Sequence, residues 1–417
     1  MAYVWYGTAI ATACGLGVLL TASLNRLPEG ATVRSVNRVA AEVIASQNSS
    51  QHVSQQSELS LYQAADEFAQ QASVAAQRVQ SQTDSTDSLE RSQALRQSRV
   101  YWQQAIKKLN EIPASSGLSA RAKTKQKDYQ KELAVAVREA AVLRETFIAD
   151  TLQDVGVNPA QMHITLCQLS ETEPPLIAGE LNADVCKQHQ GSQLLASAAS
   201  LIKVPIAIAL LKKSSDDDVP LTTKLIIDTS NYTENPEGDS LEVAKEYSLQ
   251  EIMSLMIQKS DNIGTNQLID YLGVEPINQT LSDYPQTSVG HKLVGSETRP
   301  ANFGSGRNQT TTDDITAMMA AIYSQKENQS IRTALARQQD RELGYTALQD
   351  IGPQVRWLGE KTGQNNLLIG TTLAMKVHQD TYLLTVAIDN SSDTFVLQQV
   401  INRLTRHLTL NGSFIDE

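Results

Sequence analysis

The sequence predicts an α+β protein. Helices flank a β-sheet and a helical subdomain is inserted, preceded by an all-helical region (a hairpin or bundle) and an N-terminal membrane segment. Three features indicate this architecture: an uncharged apolar stretch opens the chain, a segment with few Pro or Gly residues follows, and three strand-like runs lie beside a C-terminal helical pattern. A chain of 417 residues is also longer than a domain with a single hydrophobic core usually is, which favours several domains.

The first predicted segment, residues 1–25, carries no charged side chain, and its apolar run ends at Arg26. This length suits a transmembrane segment better than the shorter apolar region of a signal peptide. Arg26, Arg34 and Arg38 follow the run and favour a cytoplasmic C-terminal side, but large domains translocate regardless of such a bias. We predict a membrane anchor with the rest of the chain outside the cytoplasm. The alternative is a cleaved signal peptide and a secreted protein.

The next two segments differ in composition. Residues 26–56 are rich in Ser, Gln and Asn and predict a flexible polar linker. Residues 57–156 are rich in Ala, Gln, Leu, Arg and Glu, with helical spacing of apolar residues and breaks near 83–88 and at Pro113 and Gly117. They predict a helical hairpin or three-helix bundle of coiled-coil character, serving as a spacer or self-association element. The alternative is a docking surface for a cell-envelope partner.

Residues 157–417 have the patterns of a sheet flanked by helices. Strands are predicted at 163–167, 176–178, 355–362, 367–377 and 381–389. Helices are predicted within the apolar run 194–211 and at 248–258, 262–272, 311–323 and 394–408. The part between Ser200 and Lys361 is predicted to be all-helical.

Charge and cysteine content restrict the function classes. A net charge of −11 argues against a nucleic-acid partner because the chain has no basic stripe to neutralise phosphates. No histidine pair has metal-ligand spacing on a helix, so no metal site is predicted. Cys14 lies in the apolar N-terminal segment, which leaves Cys167 and Cys186. Outside the cytoplasm these can form a disulfide, and the alternative is two separate buried thiols.

Three short motifs carry the chemistry. Ser200-Leu-Ile-Lys203 is the only Ser-x-x-Lys of the chain, and the only Ser-Asp-Asn (260–262) and the only Lys-Thr-Gly (361–363) follow it in that order. Each motif alone is weak, but this ordered set is typical of serine acyl-transfer enzymes that react with β-lactams or D-alanyl peptides. The spacings of 60 residues (200 to 260) and 101 residues (260 to 361) leave room for a helical subdomain and a return to the sheet.

The residue types explain the set. Ser200 and Lys203 lie one helical turn apart, and a serine nucleophile needs a neighbouring base. Lysine becomes that base when burial or a cationic neighbour lowers its pKa, and the surrounding residues are almost all apolar. Ser260 has a hydroxyl that can pass a proton to a leaving amine. Asn262 has an amide that can hold both a catalytic side chain and a substrate carbonyl.

The third motif ends a strand-like run and suits substrate binding. Lys361 and Thr362 are predicted to hold a substrate carboxylate, and Gly363 to let the substrate lie close along the strand. An oxyanion hole is expected from the backbone N–H groups of Ser200 and Gln364.

The region from about 157 to 417 resembles the class A β-lactamases and their penicillin-binding relatives, a superfamily of serine hydrolases. The stretches ASLIKVPIA, MIQKSDNIGTNQLIDYLG, NQTTTDDIT and EKTG carry the resemblance. It implies an α/β sandwich with a helical subdomain, an acyl-enzyme on Ser200 and no cofactor. By motif, Lys203 is the base, Ser260 the proton shuttle and Asn262 a substrate contact. Lys361 and Thr362 then bind the substrate carboxylate.

The chain departs from that family in one loop. Class A β-lactamases have Glu-x-x-Leu-Asn before a Thr-Thr stretch, and the glutamate activates the water that releases the acyl group. Here Glu297-Thr-Arg-Pro-Ala-Asn302 is one residue longer and lacks the leucine. Glu297 is therefore either a displaced equivalent or a loop carboxylate.

The combined prediction is a membrane-anchored serine hydrolase that forms an acyl-enzyme with β-lactams or with the D-alanyl-D-alanine stem peptides of peptidoglycan. Fast release would make it a β-lactamase, and slow release a penicillin-binding D,D-peptidase. The alternative from another class is a non-catalytic cell-envelope protein that uses this fold and its helical region to bind a partner.

Overall fold

The structure is a computed structural model and describes residues 33–80, 87–170, 176–177, 180–233, 240–290, 292–293 and 308–412. These form two compact units. One contains the described residues up to Ala69 together with Gln103–Gln130, and the other contains Gln70–Trp102 and the chain from Lys131 onward. The predicted membrane segment 1–25 lies outside the described residues, and within them no helix has both the length and the apolar character of a bilayer span.

Three long helices make up the N-terminal region: α1 (Val33–Gln80), α2 (Ser88–Asn110) and α3 (Ser119–Val155). The turn between α2 and α3 contains Pro113 and Gly117, as predicted. The linker predicted at 26–56 differs from the structure, because α1 already begins at Val33. Residues 33–56 contain neither Gly nor Pro, so their Ala, Glu and Gln content sustains a helix despite the Ser and Asn residues.

The first unit has a small core of its own. Tyr129 of α3 donates a hydrogen bond to Asp66 of α1 (2.8 Å), and Lys125 forms an ion pair with the same carboxylate. The Lys125 ammonium also lies 4.5 Å from the centre of the Tyr62 ring. These polar contacts border a cluster of buried apolar residues from the three helices and the turn after α2, consisting of Ala65, Leu109, Ile112 and Ala122.

A five-stranded antiparallel sheet is the centre of the second unit, with strand order β4-β1-β9-β8-β7. Its strands are β1 (Met162–Gln168), β4 (Cys186–His189), β7 (Val355–Asn365), β8 (Leu368–Val377) and β9 (Asp380–Asp389). Two strand pairs lie outside it: β2 (Leu176–Ile177) with β3 (Glu180–Leu181), and β5 (Lys224–Ile226) with β6 (Glu246–Ser248).

The helices of the second unit come mainly from the inserted part of the chain. They are α4 (Lys203–Asp216), α5 (Leu249–Gln258), α6 (Asn262–Leu272), α7 (Val274–Thr280), α8 (Thr312–Ser324), α9 (Gln329–Leu335), α10 (Gly344–Leu348) and the C-terminal α11 (Thr394–Asn411). Helix α5 begins with a capping box, in which the side chains of Ser248 and Glu251 each accept a hydrogen bond from the other's backbone N–H. The prediction of an all-helical insertion is wrong at β5 and β6, because strands of three residues are too short for an alternating pattern.

Both faces of the sheet are buried. Along β9, Leu383 and Ala387 join the core formed with α4, α5, α6 and α8, whereas Leu384 and Val386 join the core formed with α11 and the end of α3. Because successive strand residues point to opposite faces, a sheet covered on both sides reads as a continuous apolar run. The sheet therefore carries the residues of its edge strand on a core that is packed on both faces.

Of the two alternatives for Cys167 and Cys186, the structure has the disulfide rather than two separate thiols. Cys167 of β1 lies directly opposite Cys186 of β4, and the two form a disulfide.

Candidate active site

Ser200 lies in a single 3-10 turn, Ala199–Ile202, that leads directly into α4 at Lys203. The preceding residue, Ala199, has a φ of 42°, a left-handed conformation that a residue with a Cβ seldom adopts. Strain of this kind persists only where the surroundings enforce it, and it is frequent at functional sites. The helix predicted within the apolar run 194–211 therefore begins later than that run, with the 3-10 turn at Ala199 and α4 at Lys203.

Lys203 is completely buried, and its Nζ lies 2.8 Å from Oγ of Ser200 and 2.8 Å from Oδ1 of Asn262. Burial lowers the pKa of Lys203 well below its ordinary value, and the positive charge of Lys361 lowers it further, against an opposing effect of Asp261. A lysine with a lowered pKa supplies a neutral amine that can accept the proton of a hydroxyl.

Ser260 joins the site from the loop between α5 and α6. Its hydroxyl donates to Oγ of Ser200 at 2.8 Å and accepts a hydrogen bond from Nζ of Lys361 at 3.1 Å. Ser260 has a φ of 55°, so this loop too holds a left-handed conformation. The neighbouring Asp261 caps α6 by accepting from the N–H of Gly264 at 2.8 Å, which holds the loop against the helix.

Lys361 and Thr362 lie on β7, the edge strand beside the nucleophile turn. Lys361 is completely buried, and its Nζ donates to the carbonyl oxygen of Thr362 at 2.8 Å as well as to Ser260. The Oγ1 atom of Thr362 accepts from Nε2 of Gln338 at 3.1 Å. A lysine ammonium and a hydroxyl side by side are suitable donors to a carboxylate.

Gly363 lets β7 approach the nucleophile. A Cβ at this position would lie 2.9 Å from Cγ of Leu201 and 3.3 Å from the backbone nitrogen of Ser200. Glycine is therefore required here by contact between two parts of the protein, in addition to the predicted room for substrate.

The two predicted oxyanion donors belong to the same pair of elements. Gln364 follows Gly363 on β7 and is exposed, and Ser200 belongs to the turn that Gly363 contacts. The buried Ser197 links them, because its Oγ accepts from the N–H of Ala199 at 3.1 Å and from Nδ2 of Asn365 at 2.9 Å. The Ser197 hydroxyl thus holds Ala199, which precedes Ser200, and Asn365, which follows Gln364.

Of the residues predicted from the sequence, five form one hydrogen-bonded chain: Ser200, Lys203, Ser260, Asn262 and Lys361. Thr362, Gly363 and Gln364 continue from Lys361 along β7. The remaining candidate, Glu297, lies outside the described residues.

The described residues nearest the Glu297 segment are firmly held. The amide of Asn266 on α6 makes two hydrogen bonds with the backbone of Leu293, at 2.7 and 2.8 Å. On the other side, Oδ1 of Asn308 accepts from the N–H of Gly290 at 2.7 Å.

Three residues of the site were missed by sequence reasoning: Ser197, Asn365 and Gln338. Ser197 and Asn365 flank the first and third motifs, so proximity in sequence was an available signal. Gln338 belongs to the segment after α9 and has no signal in the sequence, because only the folded chain brings it to Thr362.

The arrangement has the parts of a nucleophilic acyl-transfer site. The hydroxyl of Ser200 contacts Lys203, whose pKa is lowered, on one side and the hydroxyl of Ser260 on the other. Ser260 in turn accepts a hydrogen bond from the buried Lys361. A nucleophile and a base within hydrogen-bond reach, with the base held by a third group, are the geometric signature of an activated serine.

Comparisons with known proteins agree with this arrangement. The model of the beta-lactamase enzyme family matches residues 186–409, which is 224 of the 417 residues of the chain. A solved beta-lactamase from Sphaerobacter thermophilus is 22% identical with a TM-score of 0.51, covering 64% of this chain and 97% of its own. No curated protein matches the chain.

A penicillin-binding protein, PBP-A, is similarly related. Its structure and that of a variant solved as an acyl-enzyme complex with penicillin G are each 20% identical with a TM-score of 0.50, covering 62% of this chain and 94% of theirs. Identities this low show a common fold and leave the activity open. Because the family model spans more than half of the chain, the chain belongs to the beta-lactamase enzyme family.

Proposed function

We propose that the protein is a serine acyl-transfer enzyme in which Ser200 attacks the carbonyl of a β-lactam or of a D-alanyl-D-alanine peptide. One observation carries the proposal: Oγ of Ser200 lies 2.8 Å from both Nζ of Lys203 and Oγ of Ser260. The base and the proton donor that acyl transfer requires are therefore both in contact with the nucleophile.

In the proposed acylation, the neutral amine of Lys203 takes the hydroxyl proton of Ser200 while Oγ forms a bond to the carbonyl carbon. The carbon–nitrogen bond of the substrate then breaks. The leaving nitrogen receives a proton from Ser260, which recovers one from the ammonium of Lys361, its hydrogen-bond partner. One proton is gained by Lys203 and one is lost by Lys361, so the total charge of the site is unchanged.

The proposed substrate carries a carboxylate close to the reacting carbonyl, as penicillins and D-alanyl-D-alanine peptides do. Lys361 and Thr362 are proposed to bind it, since both are buried and adjacent on β7. Developing charge on the carbonyl oxygen is proposed to be stabilised by the N–H groups of Ser200 and Gln364.

The rate of release separates two forms of this activity. Glu297 is proposed to activate the releasing water in a β-lactamase. A loop carboxylate without that role would leave a long-lived adduct, as expected of a penicillin-binding D,D-peptidase. The penicillin G acyl-enzyme of the PBP-A variant supports acylation by penicillin on this fold.

The test uses the full chain with a chromogenic β-lactam, following hydrolysis by absorbance and adduct formation by intact mass. We expect a mass increase equal to the β-lactam, which Ser200→Ala abolishes. Ser215→Ala, which changes an exposed serine of α4, is the matched control and should acylate normally. If the unaltered chain forms no adduct and hydrolyses nothing, the enzymatic proposal is wrong and a non-catalytic binding protein takes its place.

The two forms are then distinguished by turnover. Fast hydrolysis that Glu297→Ala converts into a stable adduct would assign both a β-lactamase activity and the role of Glu297. A stable adduct in the unaltered chain, with cleavage of D-alanyl-D-alanine peptides, would assign the peptidase.

We also propose that residues 1–25 anchor the protein in the membrane with its catalytic region outside the cytoplasm. The disulfide between Cys167 and Cys186 supports an oxidising compartment. Resistance of the protein to alkaline extraction from membranes, together with protease accessibility from the outer face, would test this topology. Extraction into the soluble fraction would contradict the anchor.

A further inference from the structure

Gln338 contacts Thr362, one of the two residues of the proposed carboxylate site. It follows α9, only 1% of the residue is exposed, and its Nε2 lies 3.1 Å from Oγ1 of Thr362. The amide nitrogen is a donor, so the threonine oxygen is the acceptor of this hydrogen bond.

The bond to Thr362 is the one side-chain hydrogen bond that Gln338 makes among the described residues. Its Oε1 is buried and has no hydrogen-bond partner there. Leaving a buried polar atom without a hydrogen-bond partner is destabilising. In a buried amide that serves only the core, both the oxygen and the nitrogen normally make hydrogen bonds. The position of Gln338 is therefore better explained by its hydrogen bond to Thr362 than by a contribution to core packing.

The backbone around Gln338 is held against the catalytic loop. The N–H of Gln339 donates to the carbonyl oxygen of Gln258 at 2.9 Å, and Gln258 ends α5 two residues before Ser260. The N–H of Gln338 itself donates to Leu335 at 3.2 Å. The segment that positions the Gln338 amide beside Thr362 is therefore hydrogen-bonded to the end of α5, just before the loop that carries Ser260.

Arg341 lies in the same segment and contacts two aromatic rings and the backbone of Gln338. The Arg341 guanidinium carbon lies 4.7 Å from the centre of the Tyr345 ring and 5.2 Å from that of Trp357, and its Nε donates to the carbonyl oxygen of Gln338. The contact to the Thr362 hydroxyl thus comes from a neutral amide and adds no charge to the site.

We propose that Gln338 is a positioning residue that aims the hydroxyl of Thr362 at the substrate carboxylate. A hydroxyl carries one hydrogen, and when its oxygen accepts a bond from Nε2 of Gln338, that hydrogen points away from the amide. Thr362 then presents a donor to the carboxylate, beside the ammonium of Lys361. This inference rests on the proposed function, because it needs a substrate whose carboxylate occupies this site.

Without the amide, the Thr362 hydroxyl is free to rotate and also presents its lone pairs to the carboxylate. The loss should therefore fall on substrates with a free carboxylate and spare those in which it is esterified. A hydrogen bond to a charged group is typically strong enough for the change to be roughly tenfold or more.

The experiment measures the acylation rate constants of the full chain with penicillin G and with penicillin G methyl ester, by intact mass, and takes their ratio. Gln338→Met keeps the length of the side chain and removes its hydrogen bonds. We expect the acid-to-ester ratio to fall by roughly tenfold, with ester acylation unchanged. Gln339→Met, in the same turn but exposed, is the matched control and should keep the ratio of the unaltered chain.

A second variant covers the case in which Gln338→Met does not fold. Gln338→Glu replaces the donor with an acceptor of the same shape, which would turn the Thr362 hydrogen toward itself, and the ratio should fall again. A ratio that stays the same or rises in variants that still acylate with the ester would overturn the inference while leaving the proposed function intact. If the unaltered chain acylates with neither compound, the proposed function fails and this inference fails with it.

Discussion

Lys203 and Lys361 are both completely buried in one site, and the positive charge of Lys361 lowers the pKa of Lys203 beyond the effect of burial. Two buried lysines are costly to charge together. The lowered pKa of Lys203 reduces this cost, while Lys361 has hydrogen-bond acceptors in Ser260 and the Thr362 carbonyl. The proposed chemistry needs Lys203 as a neutral amine, and the lowered pKa favours that form.

The first prediction concerns the pH dependence of acylation. The rate should rise with pH as Lys203 loses its proton, and the midpoint should lie well below the ordinary value of a lysine pKa because the Lys203 pKa is lowered. Lys361→Gln removes the neighbouring positive charge, so the pKa of Lys203 rises and the midpoint moves to higher pH. Pre-steady-state acylation of the methyl ester substrate across the pH range measures the midpoint without requiring carboxylate binding.

The control for that prediction is Lys245→Gln, which removes an exposed lysine paired with Glu242. Its acid limb should coincide with that of the unaltered chain. A limb that does not move in Lys361→Gln would show that the titrating group is not Lys203.

The second prediction concerns Ser197, whose hydroxyl accepts from Ala199 and Asn365. Ser197→Ala frees both neighbours of the proposed oxyanion donors. Acylation should slow by roughly tenfold, a fraction of the 10²–10³-fold that loss of a donor itself costs. Stopped-flow acylation together with thermal unfolding checks this, because a loss of rate that only follows a loss of folded protein would argue against a positioning role.

Much of this site was predictable because its motifs are local and its chemistry restricts residue type. Ser200 and Lys203 share one turn, and the order of the three motifs predicted that Ser260 and Lys361 would meet them, as they do. Gln338 was not predictable, because its hydrogen bond joins two segments whose contact depends on how α9 packs against β7. A buried glutamine carries no local pattern that distinguishes it from a surface one.

The fold shows the same division between local and distant information. Strands β8 and β9 were predicted because each is a long run buried on both faces, and the edge strand β7 because its central residues are buried. The short strand β4 was missed, since Cys186–His189 is half-exposed and its pairing with β1 depends on residues nearly twenty positions away. The start of helix α1 was predicted too late in the chain, because Ser and Asn residues were taken to indicate a linker. They do so only where Gly or Pro accompany them.

The third prediction concerns the disulfide. Cys167 and Cys186 are 19 residues apart, and closing a loop of that length stabilises a protein by roughly 3 kcal/mol in the chain-entropy description. Replacing both cysteines with Ala should lower the free energy of unfolding in urea by about this amount. Reductant should destabilise the unaltered chain similarly and leave the double variant unaffected. Equal stability of the two proteins without reductant would contradict the expected contribution.

The last prediction concerns His407, a buried residue of α11. Its Nε2 lies 3.0 Å from Oγ of Ser88 and its Nδ1 3.2 Å from Oγ of Ser92, both at the start of α2. Burial lowers the pKa of His407 from 6.5 to about 4, although the carboxylates of Asp154 and Asp87 oppose the shift. Arg403, which bonds both carboxylates, also disfavours a second positive charge here.

The sign of the effect follows from proton counting. Between pH 6.5 and about 4 the unfolded chain holds a proton on His407 that the folded chain lacks, so folding is progressively weakened as pH falls through this window and the full loss is reached below it. The loss attributable to His407 is roughly 3 kcal/mol. His407→Gln keeps hydrogen-bonding groups and does not titrate, so its stability in urea should fall less between pH 7 and pH 4.5 than that of the unaltered chain. Parallel slopes for the unaltered chain and His407→Gln would mean that other groups cause the acid sensitivity.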